Sequence, residues 1–409
     1  VVAALVYVAA SVIATSASAD IIVHDKDGWK VTFDGRANGF YSYQTGDVKP
    51  TGGTPGMGGI VGVPFQAAPD ENGTSFTVSR VHGGYVGSIF GFKVQKQITE
   101  NLLATGRMAI WWPIETDQFR GYSSMVPDPR ESYVKLEGPW GGLLAGRTLG
   151  LHDRGGTQID FLYANGYSIG SPCNAIQQGP LCGHIGYGYQ FPGFNSGIVY
   201  NTPAVAGLQL SVGIYDPARV GFGTPELTRL PAPRVESELN YDLTTSALKL
   251  AVFVNGMWQR AGGDVAGVAK TVDAMGVSYG GRVELGGFKI GAAGNLDKGG
   301  GELSGLVDRV PIDQAGELRL VAGWLVQAMF SPGPLDFAAG AGATVIRETV
   351  DDVIRENSVI QQRLGLNATI NYHLGPVVFN AQYFRAKHTY WRGEQQTMNY
   401  LHTGMTFVW

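Results

Sequence analysis

Over residues 29–43 polar and apolar side chains trade places at nearly every step. Val31, Phe33, Ala37 and Tyr41 fall on one side, and Lys30, Thr32, Asp34, Arg36 and Asn38 on the other. A period of two marks a half-buried strand, because successive strand side chains point to opposite faces. The pattern returns in residues 102–112, where Thr105 and Arg107 oppose Ala104, Met108 and Ile110. It returns again in 130–147, where Val134 and Leu136 oppose Tyr133, Lys135 and Glu137. There it breaks at Gly138-Pro139-Trp140-Gly141-Gly142 and resumes, which predicts an antiparallel hairpin. Residues 75–98 predict one long or bulged strand. Further hairpins are predicted to turn at 99–101, 202–207, 242–246, 284–287, 331–334 and 373–376. Longer connections fall at 51–69, around Glu115, Asp117 and Asp128, and at 217–233, 259–271, 297–316, 347–357 and 390–396.

Short turns thus alternate with long loops around about sixteen strands. That asymmetry, with an even strand count, belongs to bacterial outer-membrane barrels. The fold class expected is all-β, a transmembrane antiparallel up-and-down β-barrel. In hydrocarbon an unpaired backbone amide costs several kcal/mol, so a sheet crosses a bilayer only by closing its edges. A barrel of this size leaves a lumen that its own wall residues cannot fill. By the alternation Arg36, Arg107 and Arg147 point into that lumen, with Lys93 beside them and Arg282, Glu284, Arg363 and Asn367 on later strands. Each arginine could equally be paired to a neighbouring carboxylate without bearing on selectivity. Trp29, Trp111, Trp112, Trp140, Trp258, Tyr372 and Trp391 cluster near strand ends, where interfacial girdles lie.

The run Arg130-Glu131-Ser132-Tyr133-Val134, followed by Leu136, Gly138, Gly141, Leu143 and Gly146-Arg147, resembles the general, non-specific porins of Gram-negative outer membranes. The last strand adds to the resemblance, with Leu401, Thr403, Met405, Phe407 and the terminal Trp409 on one face. The resemblance implies a 16-stranded barrel that assembles as a homotrimer in outer-membrane lipid. It also implies that residues 148–186 fold inward as a constriction loop. A basic wall would face acidic groups of that loop: Arg36, Lys93, Arg107 and Arg147 match the wall by position, and Asp153 and Asp160 are the loop acids. Departures from the family are the absence of a Pro-Glu-Phe-Gly-Gly-Asp style loop sequence, Arg154 beside Asp153, and a cysteine pair in the loop. The function so implied is a water-filled channel for passive diffusion of small hydrophilic solutes and ions.

Composition supports this class. Charged residues are 16% of the chain, against about 25% in soluble domains, and there are 60 glycines. Mean hydropathy is near zero, as expected when apolarity is hidden in alternation. Beyond the first twenty positions no run reaches the roughly 18 apolar residues of a membrane helix. The net charge of −4, with no basic patch, argues against nucleic acid as a partner. Residues 1–19 have an apolar core ending in Ala17-Ser18-Ala19, the pattern of a cleaved secretory signal, here partial; residues 20–409 would be the barrel. A membrane anchor is the rival reading of the same segment.

Candidate chemistry is sparse. Cys173 and Cys182 lie close together in the long loop and read as one disulfide, since an exported chain with two cysteines favours a staple. Their spacing fits no zinc motif even with His184, and no cofactor is expected. Gly166-Tyr167-Ser168-Ile169-Gly170 formally matches a nucleophile elbow, which would make the protein a barrel hydrolase. That motif needs a strand-to-helix turn and has none in prospect here, so no enzyme is expected. A substrate-selective channel is the other rival. Phe161, Tyr163, Tyr167, Tyr187, Tyr189 and Phe191 could line a sugar path or pack the loop to the wall, and the arginines could favour anions.

Overall fold

The computed structural model describes residues 20–47, 73–83, 88–112, 128–161, 183–221, 226–299, 312–356 and 360–409. In chain order the first strands are β1 (Ile21–Lys26), β2 (Trp29–Asp47), β3 (Ser75–His82), β4 (Ser88–Thr99), β5 (Leu102–Trp112), β6 (Asp128–Gly138) and β7 (Gly141–Leu149). The short helix α1 (Arg154–Ile159) follows. Next come β8 (Phe194–Asn201), β9 (Leu208–Tyr215), β10 (Arg234–Thr244), β11 (Leu248–Val265), β12 (Val268–Leu285) and β13 (Phe288–Lys298). The chain finishes with β14 (Leu320–Phe330), β15 (Leu335–Arg347), α2 (Val350–Ile354), β16 (Ile360–Leu374), β17 (Val377–Tyr390) and β18 (Gln395–Val408).

All strand pairings are antiparallel, and β18 returns to β2 from Met398↔Gly46 to Val408↔Arg36, which closes the sheet. Two pairs of segments share one wall position each. β4 lies against residues 29–36 of β2 and β3 against 40–47, so 75–99 is one interrupted strand. β1 pairs with 29–33 on the edge that β18 takes higher up. The result is a closed barrel of sixteen strands. The seam is tight: Gly35 N donates to the Trp409 carbonyl at 2.9 Å, and Trp409 N to that of Gly35 at 3.0 Å.

The period of two sorts side chains as lipid requires. On β17 Phe379 and Tyr383 face out while Asn380, Gln382 and His388 are buried inside. The outward set is apolar almost throughout, including Val252, Val254, Ile290, Val326, Leu366, Ile370, Leu401 and Met405. At the short-turn end it becomes aromatic, with Trp140 stacked on Tyr200, Phe288 on Phe330 and Tyr372 on Phe379. Trp111 departs from the expected girdle and is buried within the barrel.

One expected loop is not a loop. Residues 259–271 continue β11 and β12 in unbroken register to Val265↔Val268 and turn on Ala266-Gly267. Both turn residues have positive φ, 52° and 84°, the geometry of a two-residue hairpin turn, but alanine gives no such signal in sequence. β1 is a further strand for which the alternation gives no sign.

Candidate functional site

Between β7 and β8, residues 150–161 and 183–193 lie inside the barrel against its wall. The first stretch is pinned to the facing strands by hydrogen bonds that begin with backbone donors. Leu151 N and His152 N both donate to Glu236 Oε2 on β10, at 2.6 and 3.0 Å. Asp153 N donates to Asn255 Oδ1 on β11, and Phe161 N to Gln327 Oε1 on β14, each at 3.0 Å. Arg154 forms an ion pair with the fully buried Glu238 of β10. Helix α1 sits so close to β11 that a Cβ on Gly155 would run into the Phe253 ring.

The loop's second half is held by aromatic packing. Ile159, Ile185, Tyr189 and Phe191 join Phe253, Ala293 and Leu325 of the wall in one buried cluster. Tyr187 packs on Phe384 and bonds His388 at 2.7 Å, on β17. Phe161, Tyr187, Tyr189 and Phe191 are thus all buried in loop-to-wall packing. Tyr163, Tyr167, the Gly166–Gly170 motif and both cysteines lie outside the described residues, as do Glu115, Asp117 and residues 1–19.

The two loop acids occupy different settings. Asp153, 1% exposed, approaches His152, and Asp160, fully buried, accepts from His184 N and the Tyr189 hydroxyl, each at 2.8 Å. Asp160 therefore ties the two stretches together. Around His152 burial acts to lower the imidazole pKa, but Asp153 and Asp297 outweigh it and hold it up at about 9. Burial pushes the Asp153 carboxyl up to about 7, with His152 opposing and Asp297 adding to the shift.

The four basic residues expected on the facing wall lie on nearby strands. Arg36, Lys93, Arg107 and Arg147 come from β2, β4, β5 and β7, and Lys93 and Arg107 are register partners. Arg107 bridges two carboxylates, Asp34 at 2.6 Å and Glu131 at 2.8 Å. The pair with Asp34 fills the space over Gly91, where a Cβ would strike the Asp34 carboxylate. All three side chains keep 17% exposure, so they are reached by water. Lys93 meets Asp20 at 2.7 Å, and Arg36 is 6% exposed. Arg130 lies over the Trp111 ring at 4.0 Å. On the other side Arg282 pairs with Glu284 at 2.9 Å, and Arg363 and Asn367 are buried. Asp34 already stood on the polar face of its strand; its pairing with Arg107 did not follow from the sequence, since the two are 73 residues apart.

A closed sixteen-stranded barrel with a loop folded inside it meets its match in sequence: the family of Gram-negative porins covers residues 2–344. The chain belongs to the Gram-negative porins. A search of curated proteins finds no match. Among solved structures, the outer membrane channel DcaP of Acinetobacter baumannii superposes with a TM-score of 0.68 at 15% identity, covering 94% of this chain and 99% of that one. An anion-selective porin from Comamonas acidovorans gives 0.62 at 15% identity over 93% and 100% of the two chains. OmpT of Vibrio cholerae, in a trimer form, gives 0.53 at 11% over 94% and 100%. This porin is accordingly an outer-membrane channel for passive diffusion.

Proposed function

We propose that this porin is a general diffusion channel, passing small hydrophilic solutes and ions down their gradients. The observation that carries the reading is the loop pinned from β10 to β17 inside a wall that carries the half-buried cluster of Arg107, Asp34 and Glu131. A lumen narrowed by charged groups of both signs selects by size and modestly by charge. Arg36, Lys93, Arg107 and Arg147 set the field on one side of the constriction; Asp153 and Asp160 act by fixing the position of the loop. Cys173 and Cys182 form a disulfide that closes the loop's middle. Residues 1–19 act as an export signal, and the barrel works as a homotrimer, the form in which the Vibrio cholerae relative is described.

Two other readings fare differently. Phe161, Tyr187, Tyr189 and Phe191 are spent on packing, which favours general diffusion over a sugar path. The porin family and fold favour a channel without catalysis. Single-channel recording in planar bilayers tests the proposal. Conductance linear in salt, with weak ion preference and no saturating block by any sugar, is expected. Block at millimolar concentrations of one sugar would defeat the general-diffusion reading, and esterase activity lost in Ser168→Ala would defeat the non-catalytic one.

A further inference from the structure

At the point where the inward loop first touches the far wall, three groups converge that the sequence keeps apart. His152 Nε2 lies 2.8 Å from Asp297 Oδ1, a residue 145 positions away on β13, and 3.3 Å from Asp153 Oδ2. The Asp153 and Asp297 side chains are 1% and 0% exposed. An imidazole nitrogen carries at most one proton, so Nε2 can serve one carboxylate and not both. It is aligned on Asp297. Neither oxygen of Asp153 makes a well-formed hydrogen bond, since the nearby Ser278 hydroxyl donates to Asn255 Oδ1, and Nδ1 of His152 is buried without a partner as well. The cations on adjoining positions are engaged elsewhere, Arg154 by Glu238 and Arg234 by Glu236. Two buried carboxylates against one imidazole leave negative charge uncompensated even if the ring is charged, and a divalent cation would offset it.

We propose that His152, Asp153 and Asp297 bind one divalent cation of the zinc class, which ties the constriction loop to the barrel wall. One imidazole nitrogen and two carboxylate oxygens are a donor set that zinc and its neighbours accept, whereas calcium and magnesium favour oxygen alone. Zinc holds such donors at about 2.0–2.2 Å, so they must come to roughly 3–3.5 Å from one another; Nε2 already stands 2.8 and 3.3 Å from the two carboxylates, and all three donors lie within 4.8 Å. The supporting contacts are in place. Asn295 Nδ2 donates to the second oxygen of Asp297, and Asn255 fixes the Asp153 backbone. Gly276 gives the cluster its room, since a Cβ there would stand 2.7 Å from His152 Nε2 and strike Asp297. The His152 side chain keeps 11% exposure, which leaves a path for the ion and a position for water. No spacing rule could have found this site, because its third ligand comes from the opposite half of the barrel.

The test uses the full chain in detergent, stripped with a chelator and then exposed to Zn²⁺ or Co²⁺ at micromolar free ion. One ion retained per chain after desalting is expected, with a visible Co²⁺ ligand-field band. His152→Gln and Asp297→Asn should each weaken uptake about tenfold or more, while His373→Gln, in a separate His–Asp pair near the short turns, should leave it unchanged. Circular dichroism establishes that each variant is folded. Wild-type protein that retains no ion, or folded His152→Gln and Asp297→Asn proteins that retain it as wild type does, would overturn the proposal.

Discussion

Arg107 shows how one side chain can set both the shape and the charge of a channel wall. From β5 it holds Asp34 of β2 and Glu131 of β6, so removing it does more than subtract a cation: it leaves two half-buried acids without their partner. A unit charge about 6 Å from a passing ion in a water-like medium is worth roughly 0.7 kcal/mol, a factor of about three in relative permeability. Arg107→Ala together with Arg147→Ala should therefore move the reversal potential in a salt gradient toward cation selectivity; an unchanged potential would remove both from the constriction. Arg154 answers to a different energetic rule. Its partner Glu238 is fully buried, and stripping a buried carboxylate of its counter-charge costs about 3 kcal/mol or more. Arg154→Ala should free the loop's first turn, read as faster protease cleavage within 150–161 while the barrel stays intact.

At the scale of elements, the inward loop is stabilised by close approach as much as by charge. Because Gly155 lies against the Phe253 ring, Gly155→Val must push α1 off β11, an overpacking cost of about 1–3 kcal/mol. A rise in open-channel noise and in mean conductance is expected, and bilayer recording would show either directly. Strands were legible wherever one face meets lipid, as in residues 130–147, because the solvent on each side dictates the alternation. What the chain did not reveal are features without a local signal. Ala266 adopts a turn conformation that its side chain does not advertise. His152 and Asp297 meet only after closure of the sheet. The choice between lining and packing for Tyr187 and Tyr189 was open in sequence because both uses call for the same residues.

For the whole molecule, closure is the step on which the rest depends. Gly35 occupies the seam, where a Cβ would stand 2.5 Å from the Ile89 carbonyl oxygen and 2.6 Å from the Trp409 ring. Gly35→Val should cut the yield of closed barrel on refolding into detergent, seen as loss of β-signal and of channel activity; wild-type yield would show that the seam tolerates a side chain. The β11–β12 hairpin has a consequence of another kind. Its strands are 18 residues each, so at about 3.4 Å per residue and a tilt of about 40° they rise roughly 45 Å, well past an apolar band of about 25 Å. Above that band Val265 and Ala274 are covered by Val220, Leu227, Ile312 and Leu318 in a buried apolar cluster made of protein. The barrel's midsection needs a greasy surrounding to stay shut, but this upper storey carries its own shelter, and should keep its shape when the amphiphile around the waist is exchanged or thinned.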